Sequence, residues 1–347
     1  MDKGLFTGVV MIDLRKAFDV VDHKLLLKKF QVYGLNTNSL KWFQSYLSGR
    51  YQKVCVDGTL SEPLGIHFGV PQGSILGPAL FLLFINDLPL VLKNNIGIYA
   101  DDSTLYTSAP TLAEVEEKIR PDIDAVSMWA KENKMKMHPA KTKYSIILTR
   151  QKIANSAKQS LDLSVDGMQL TKVESERVLG VYIDSHLTWN KHIDTLRRKL
   201  LQRIAILSRA RKYIPAKYRL LLYNASIKPL FTYCCTVRSN CSQTNLDELF
   251  KLQKRCAGLI LDSPRDARSY DNFQKLKGLP VDQLFKLNKI GLLKKVIDVP
   301  CDEDLEPLAT PEEAEEHEAR MTEEAKIERL YQARFTQEVE LAAWYDI

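Results

Sequence analysis

The sequence predicts an α+β fold: an antiparallel sheet packed on helices, then an all-helical basic region, then an acidic helical tail. Three observations carry that expectation. Short β-branched, apolar runs alternate with helix-periodic segments up to residue 189. From residue 190 the texture is helical, with arginines and lysines around one apolar stripe of Leu196, Leu200, Ile204 and Leu207. From residue 301 the charge reverses: this stretch holds 15 Asp/Glu and 4 Lys/Arg, a balance of −11, whereas residues 1–300 carry +17. The expected organisation is therefore 1–189, 190–295 and 296–347.

The elements follow in order. Residues 5–12, LFTGVVMI, read as a strand covered on both faces. It ends in DLRKAFDVVDH, and a helix continues through HKLLLKKFQVYG to a stop at Gly34. SLKWFQSYL (39–47) is a second helix closed by Ser48-Gly49, and RYQKVCVDG is a strand and turn. GIHFGVPQG (65–73) has three glycines and a proline and reads as a loop. SILGPALFLLFINDLPLVL is apolar on nearly all sides, which predicts a buried helix.

IGIYADDSTLY (96–106) reads as a hairpin with two carboxylates at its tip. Thr111 and Glu114 give the capping-box spacing for a long helix, which Pro121 is expected to kink or split. KYSIILT (143–149) is a strand, and residues 151–160 are a polar loop. LDLSVDGMQL is a hairpin turning at Asp166-Gly167, and RVLGVYIDSHLTW is a further strand and turn.

Composition narrows the class. The chain has 347 residues, enough for two or three domains, and no apolar run reaches the ~18 residues of a membrane span. No signal peptide is read at the N-terminus. The cysteines at 55, 234, 235, 241, 256 and 301 form no CxxC pair, so zinc is not expected, and an intracellular setting, nuclear or cytoplasmic, is. Residues 191–230 hold 11 Lys/Arg against one acid, Asp194. Such a field suits phosphate backbones, or else a solvated helical face.

Asp13 ends the first strand, and Asp101 and Asp102 sit at a hairpin tip. Should these strands be neighbours, three carboxylates converge at one sheet edge, an arrangement that repels itself without cations. All-oxygen ligation suits Mg²⁺, and a pair of ions suits in-line phosphoryl displacement. Taken alone, an Asp-Asp pair at a turn is more often simply solvated.

The set as a whole alters that balance. YADD, GVPQGSILGPALFLLFINDL and DLRKAFDVVDH occur together and in order over residues 1–295, and the sequence resembles a reverse transcriptase of the LINE-type non-LTR retrotransposons. The resemblance implies a polymerase palm over 1–189, a helical thumb or connection-like region over 190–295, and an unrelated acidic tail over 296–347. It implies RNA-directed DNA polymerase activity with two Mg²⁺ (or Mn²⁺) ions, an RNA template, a DNA primer and a dNTP, and no membrane.

The roles carry over residue by residue. Asp13, Asp101 and Asp102 match the metal-binding carboxylates, and Phe18 matches a steric gate against the ribose 2′-hydroxyl. That gate argues against an RNA polymerase. Pro71, Gln72 and Gly73, with Gly69, match the loop under the nucleotide and template. Lys141, with Lys143 competing, matches a lysine serving the leaving pyrophosphate. Leu179 and Gly180 match the primer grip. Arg197, Arg198, Arg203, Arg209, Arg211 and Lys212 would track the phosphates of the template–primer duplex.

Met1 lies twelve residues before Asp13, so the sequence is read as lacking the family's fingers region, its endonuclease and a Cys/His knuckle. On that reading the alternative function is a non-catalytic nucleic-acid-binding remnant.

Overall fold

The computed structural model describes residues 4–148, 160–264 and 267–297. The polar loop expected over 151–160 falls almost wholly outside them, as does the acidic tail beyond residue 297. The chain divides into two compact units, Met1–Glu174 and Ser175–Ile347.

The first unit is built on a central strand, β1 (Phe6–Asp13), whose residues alternate between buried and half-buried. A 3₁₀ turn (Ala17–Asp19) leads to α1 (His23–Val32) and α2 (Thr37–Leu47). Asp22 caps α1, accepting from Leu25 N at 2.9 Å, and Asn36 caps α2 in the same way. Two small ribbons follow, β2 (Arg50–Gln52) with β5 (Leu64–Ile66), and β3 (Cys55–Val56) with β4 (Thr59–Leu60). Then come α3 (Leu76–Ile85), β6 (Asn95–Tyr99), β7 (Asp102–Ala109), α4 (Leu112–Glu132), β8 (Lys143–Ile147), β9 (Ser164–Val165), β10 (Met168–Gln169) and β11 (Thr171–Lys172).

The main sheet runs β11-β8-β1-β7-β6 and is antiparallel except for the β11–β8 edge. This agrees with the antiparallel sheet expected from the sequence, to which the two-residue β11 adds one parallel pair. α4 lies so close to β1 that a Cβ at Gly8 would stand 2.5 Å from Val115 Cγ1. Only glycine fits there. Val10, Leu105, Phe81, Val115, Ile119 and Trp129 join one core.

Two expectations change here. Of the kink or split expected at Pro121, the split does not occur: α4 runs unbroken from Leu112 to Glu132. Its buried face carries it through, and Asp122 beside the proline accepts from Lys93 N and Asn94 N, both at 2.9 Å. α3 is not buried on all sides: Leu80, Phe81, Phe84 and Ile85 face the core, while Leu82 remains 48% exposed. A helix on the margin of a core buries one stripe, whatever its composition.

The second unit opens with a hairpin, β12 (Ser175–Val178) and β13 (Val181–Asp184). The helices α5 (Asn190–Ala210), α6 (Ala216–Ser226), α7 (Lys228–Thr232), α8 (Gln243–Leu261), α9 (Ser269–Lys275) and α10 (Val281–Ile297) complete it. The α5 stripe of Leu196, Leu200, Ile204 and Leu207 is buried with Phe231, Leu249 and Ile260. Asp184 orders the turn into α5, accepting from Trp189 N at 2.8 Å and Thr188 N at 2.9 Å. The sequence grouped this hairpin with the sheet domain ending at 189. Val181 instead buries in the helical core, so the compact units part at 174/175.

Candidate active site

The β1–β7 ladder ends with Asp13 opposite Asp102, and the β6–β7 ladder ends with Tyr99 opposite Asp102. Ala100 and Asp101 form the turn between. Ala100 holds a left-handed φ of +50°, a conformation costly for a residue with a Cβ and one that concentrates at functional turns. Opposed residues on paired antiparallel strands project from the same face. The register therefore puts the Asp13 and Asp102 carboxylates on one face of the sheet edge, with Asp101 next to them.

The electrostatics report the crowding. The Asp102 carboxyl is pushed above its ordinary pKa by desolvation first, then by the charges of Asp101 and Asp13. Cation binding would relieve exactly that repulsion in sign, and the donor set is all oxygen, which suits Mg²⁺ or Mn²⁺. Among the described residues no group of three or more Asp, Glu, His or Cys side chains is placed to hold a metal ion by itself. Mg²⁺ needs none, because it is held by one or two carboxylates plus phosphate oxygens and water. The opposed Asp13 and Asp102 carboxylates are donors of that kind.

The chain from Lys136 to Thr142 runs beside the end of β1. His138 N donates to the Asp13 carbonyl at 2.8 Å, Asp13 N donates to Thr142 Oγ1 at 3.3 Å, and Arg15 N donates to the Lys136 carbonyl at 2.8 Å. This track brings Lys141, which is exposed, into the segment that holds Asp13. Lys143 is already within β8, paired with Met11.

The glycine-rich loop is stitched to the turn after β1. Val70 N donates to the Phe18 carbonyl and Gly69 N to the Val21 carbonyl, each at 2.8 Å. A Cβ at Gly69, whose φ is +84°, would stand 2.8 Å from the Asp19 carbonyl oxygen. Phe18 stacks on Phe81 of α3, centroids 4.4 Å apart. Gln72 Nε2 donates to Asp19 Oδ1 at 2.7 Å, and the Pro71 carbonyl accepts from Ser74 Oγ at 2.7 Å. Gly73 has φ +77° with open space around it.

Three side chains that build this corner had no assigned role in the sequence reading: Asp19, Thr142 and His23, whose Nε2 lies 2.7 Å from the Gly69 carbonyl. Asp19 and His23 belong to the DLRKAFDVVDH stretch, so the motif held the signal. Thr142 had none, because its contact spans 129 residues.

In the second unit, Leu179 (φ +47°) and Gly180 (φ +84°) form the β12–β13 turn. Tyr233 clamps it, its hydroxyl donating to the Leu179 carbonyl at 2.5 Å. Arg197, Arg198, Arg203, Arg209, Arg211 and Lys212 are all exposed along and just beyond α5. They are not equivalent. Arg197 pairs with Glu248 at 3.3 Å, and Arg211 pairs with Asp262, which Arg219 also holds.

Opposed carboxylates at the end of a sheet ladder, beside a glycine loop, make an all-oxygen corner suited to phosphate chemistry. The chain belongs to the reverse transcriptase family: the model for "Reverse transcriptase (RNA-dependent DNA polymerase)" matches residues 2–183. Its relatives place it among the LINE-type enzymes. It is 26% identical over 290 residues to the RNA-directed DNA polymerase from mobile element jockey of Drosophila funebris, covering 78% of this chain and 30% of that one. It is 26% identical over 277 residues to the probable RNA-directed DNA polymerase from transposon BS of Drosophila melanogaster, covering 75% and 29%. The chain thus spans about 30% of the length of these relatives. A solved telomerase from Candida albicans, in complex with a fragment of telomeric RNA, aligns over 85% of this chain and 50% of that one, at 11% identity and a TM-score of 0.28. No described helix is long and apolar enough to cross a membrane.

Proposed function

We propose that this chain supplies the palm and thumb of an RNA-directed DNA polymerase that extends a DNA primer on an RNA template. The observation that carries the reading is the Asp13–Asp102 register pair with Asp101 at the adjoining turn. In the reaction the primer 3′-hydroxyl oxygen bonds to the α-phosphorus of a dNTP, the bond to pyrophosphate breaks, and the hydroxyl proton leaves. Asp13, Asp101 and Asp102 would hold two Mg²⁺ or Mn²⁺ ions, whose chemistry there is to activate the attacking oxygen and offset charge on the leaving one.

The remaining roles fall to the chain's own groups. Lys141 neutralises or protonates the departing pyrophosphate. The Phe18 ring, braced on Phe81, fills the space that a ribose 2′-hydroxyl would need. Gly73 lets the backbone approach the nucleotide, and Pro71 and Gln72 shape the loop below it. Gln72 is oriented by Asp19. Leu179 and Gly180 press on the primer end, and the α5 arginines hold phosphates without reading sequence. An intracellular site of action, nuclear or cytoplasmic, follows from an RNA template.

The test is primer extension on an RNA template with Mg²⁺ or Mn²⁺, comparing the wild type with Asp101→Ala/Asp102→Ala. Incorporation by the wild type alone supports the site. Equal incorporation by both overturns it. Salt-dependent duplex binding by both with no incorporation by either points to a nucleic-acid-binding remnant.

A further inference from the structure

A column of stacked rings lies on α2 of the first unit, half-buried at Tyr46 and exposed at its Trp42 end. Trp42 and Tyr46 are one helical turn apart and share a face. Their ring centroids are 5.6 Å apart and the rings lie 8° from parallel. Just past the helix, the Arg50 guanidinium is 5.1 Å from the Tyr46 centroid, fixed by an Nη1 bond to the Tyr46 carbonyl at 3.1 Å. Indole, phenol and guanidinium form one pile.

The pile is anchored from below. Phe43 meets Trp42 edge-on at 5.0 Å and Phe30 of α1 at 4.9 Å, which ties α2 to the core. Yet Trp42 remains 54% exposed and Tyr51, in the adjoining ribbon, 70% exposed. Tyr51 pairs with Gly65, beside which the His67 imidazole packs: a Cβ built at Gly65 would stand 3.2 Å from His67 Nε2 and 3.9 Å from Tyr51 Cε1. The partner strand β5 runs on into Phe68 and the Gly69 loop that is bonded to the Phe18 turn.

Tyr46 is half-buried and packs against the core, but core packing does not account for the open rings of Trp42 and Tyr51, because exposed aromatic area gains nothing from burial. Exposed Lys41 and Lys53 flank them. Rigid π-faces beside cations are what unpaired bases and their phosphates bind. A duplex hides its base faces, so it gains nothing from this surface.

We infer that the Trp42–Tyr46–Arg50 column, extended by Tyr51, is a stacking platform for unpaired bases of single-stranded RNA. The identity of that strand as the template rests on the polymerase reading; the stacking itself does not.

The test measures binding of the full chain to a fluorescein-labelled 12-nucleotide oligo(U) RNA and to a blunt RNA–DNA duplex, by anisotropy. Trp42→Ala is expected to weaken single-strand binding roughly 5- to 150-fold, the loss typical of one stacked base, and to leave duplex binding unchanged. Trp42→Phe, which keeps a ring and the packing on Phe43, is expected to retain most of the affinity. Equal single-strand affinity of wild type, Trp42→Ala and Trp42→Phe overturns the platform, as does equal loss on both probes. Primer extension run in parallel separates the two readings. Selective loss of single-strand binding by Trp42→Ala, with no incorporation by the wild type, leaves the platform standing and removes the polymerase.

Discussion

Asp13 and Asp102 close the β1–β7 ladder as its last registered pair, two like charges facing each other across one strand spacing. The raised pKa of Asp102 means that the native state holds this proton more tightly than the unfolded chain, whose value is near 3.8. Its stabilising contribution is thus complete below that value and is lost as pH rises through the raised native one. At neutral pH in EDTA, Asp102→Asn should therefore melt higher than the wild type, and the gap should shrink on acidification. Added Mn²⁺ should raise the wild-type melting temperature and barely move the variant, since binding to the native state alone stabilises by mass action. A variant that melts no higher than the wild type at pH 7, or gains equally from Mn²⁺, would sink the cluster as an ion platform.

Much of this corner was legible because its chemistry is local. Strand β1, the hairpin tip and the glycine loop each declare themselves within about ten residues, through β-branched runs, turn residues and paired carboxylates. What joins them is not local. The Gln72–Asp19 and Asp13–Thr142 bonds link positions 53 and 129 residues apart, and nothing in either neighbourhood names its partner. The β12–β13 hairpin shows the same limit. Its strands and turn were readable, but Val181 buries in the helical unit because of what packs on it. In α3 the composition said buried and the position said margin, so Leu82 faces outward.

The Phe18–Phe81 stack makes substrate choice testable. Phe18→Val removes the ring while leaving a smaller apolar side chain at a half-buried site, at a cost of about 1–3 kcal/mol in urea unfolding. Under the steric-gate reading, the ratio of rNTP to dNTP incorporation rises at least tenfold. An unchanged ratio in a folded, active variant would assign Phe18 to packing on Phe81 alone.

The basic face of α5 divides by what each arginine already touches. Arg197 and Arg211 are occupied by Glu248 and Asp262, whereas Arg198 and Arg203 have no carboxylate partner among the described residues. A phosphate contact contributes about 0.9 to the slope of log affinity against log salt. Arg198→Ala and Arg203→Ala should each lower the slope for duplex binding by about one. Arg197→Ala and Arg211→Ala should change it less, because an internal carboxylate already offsets those charges. Equal slopes across the four variants would show that this face does not track the backbone.

His192, 7% exposed in the second unit, gives that unit a pH signature of its own. Burial lowers its pKa to about 4, helped by the positive charges of Arg238 and Lys199. Arg238 is itself fully buried and donates to the Phe231 carbonyl at 2.6 Å, so it cannot move away. The native imidazole stays neutral, with Nδ1 accepting from Tyr182 N at 3.4 Å, while the unfolded chain protonates near 6.5. Between those values the unfolded state binds more protons, so stability falls as pH drops from about 6.5 to about 4. The full loss is on the order of 3 kcal/mol. His192→Gln keeps an acceptor for Tyr182 without a titrating ring. Chemical denaturation from pH 7 to 4 should then show the wild type losing stability faster than the variant, with the difference flattening below pH 4. Parallel curves would mean that His192 is protonated in the native state, and that the Arg238 charge beside it is neutralised by another group.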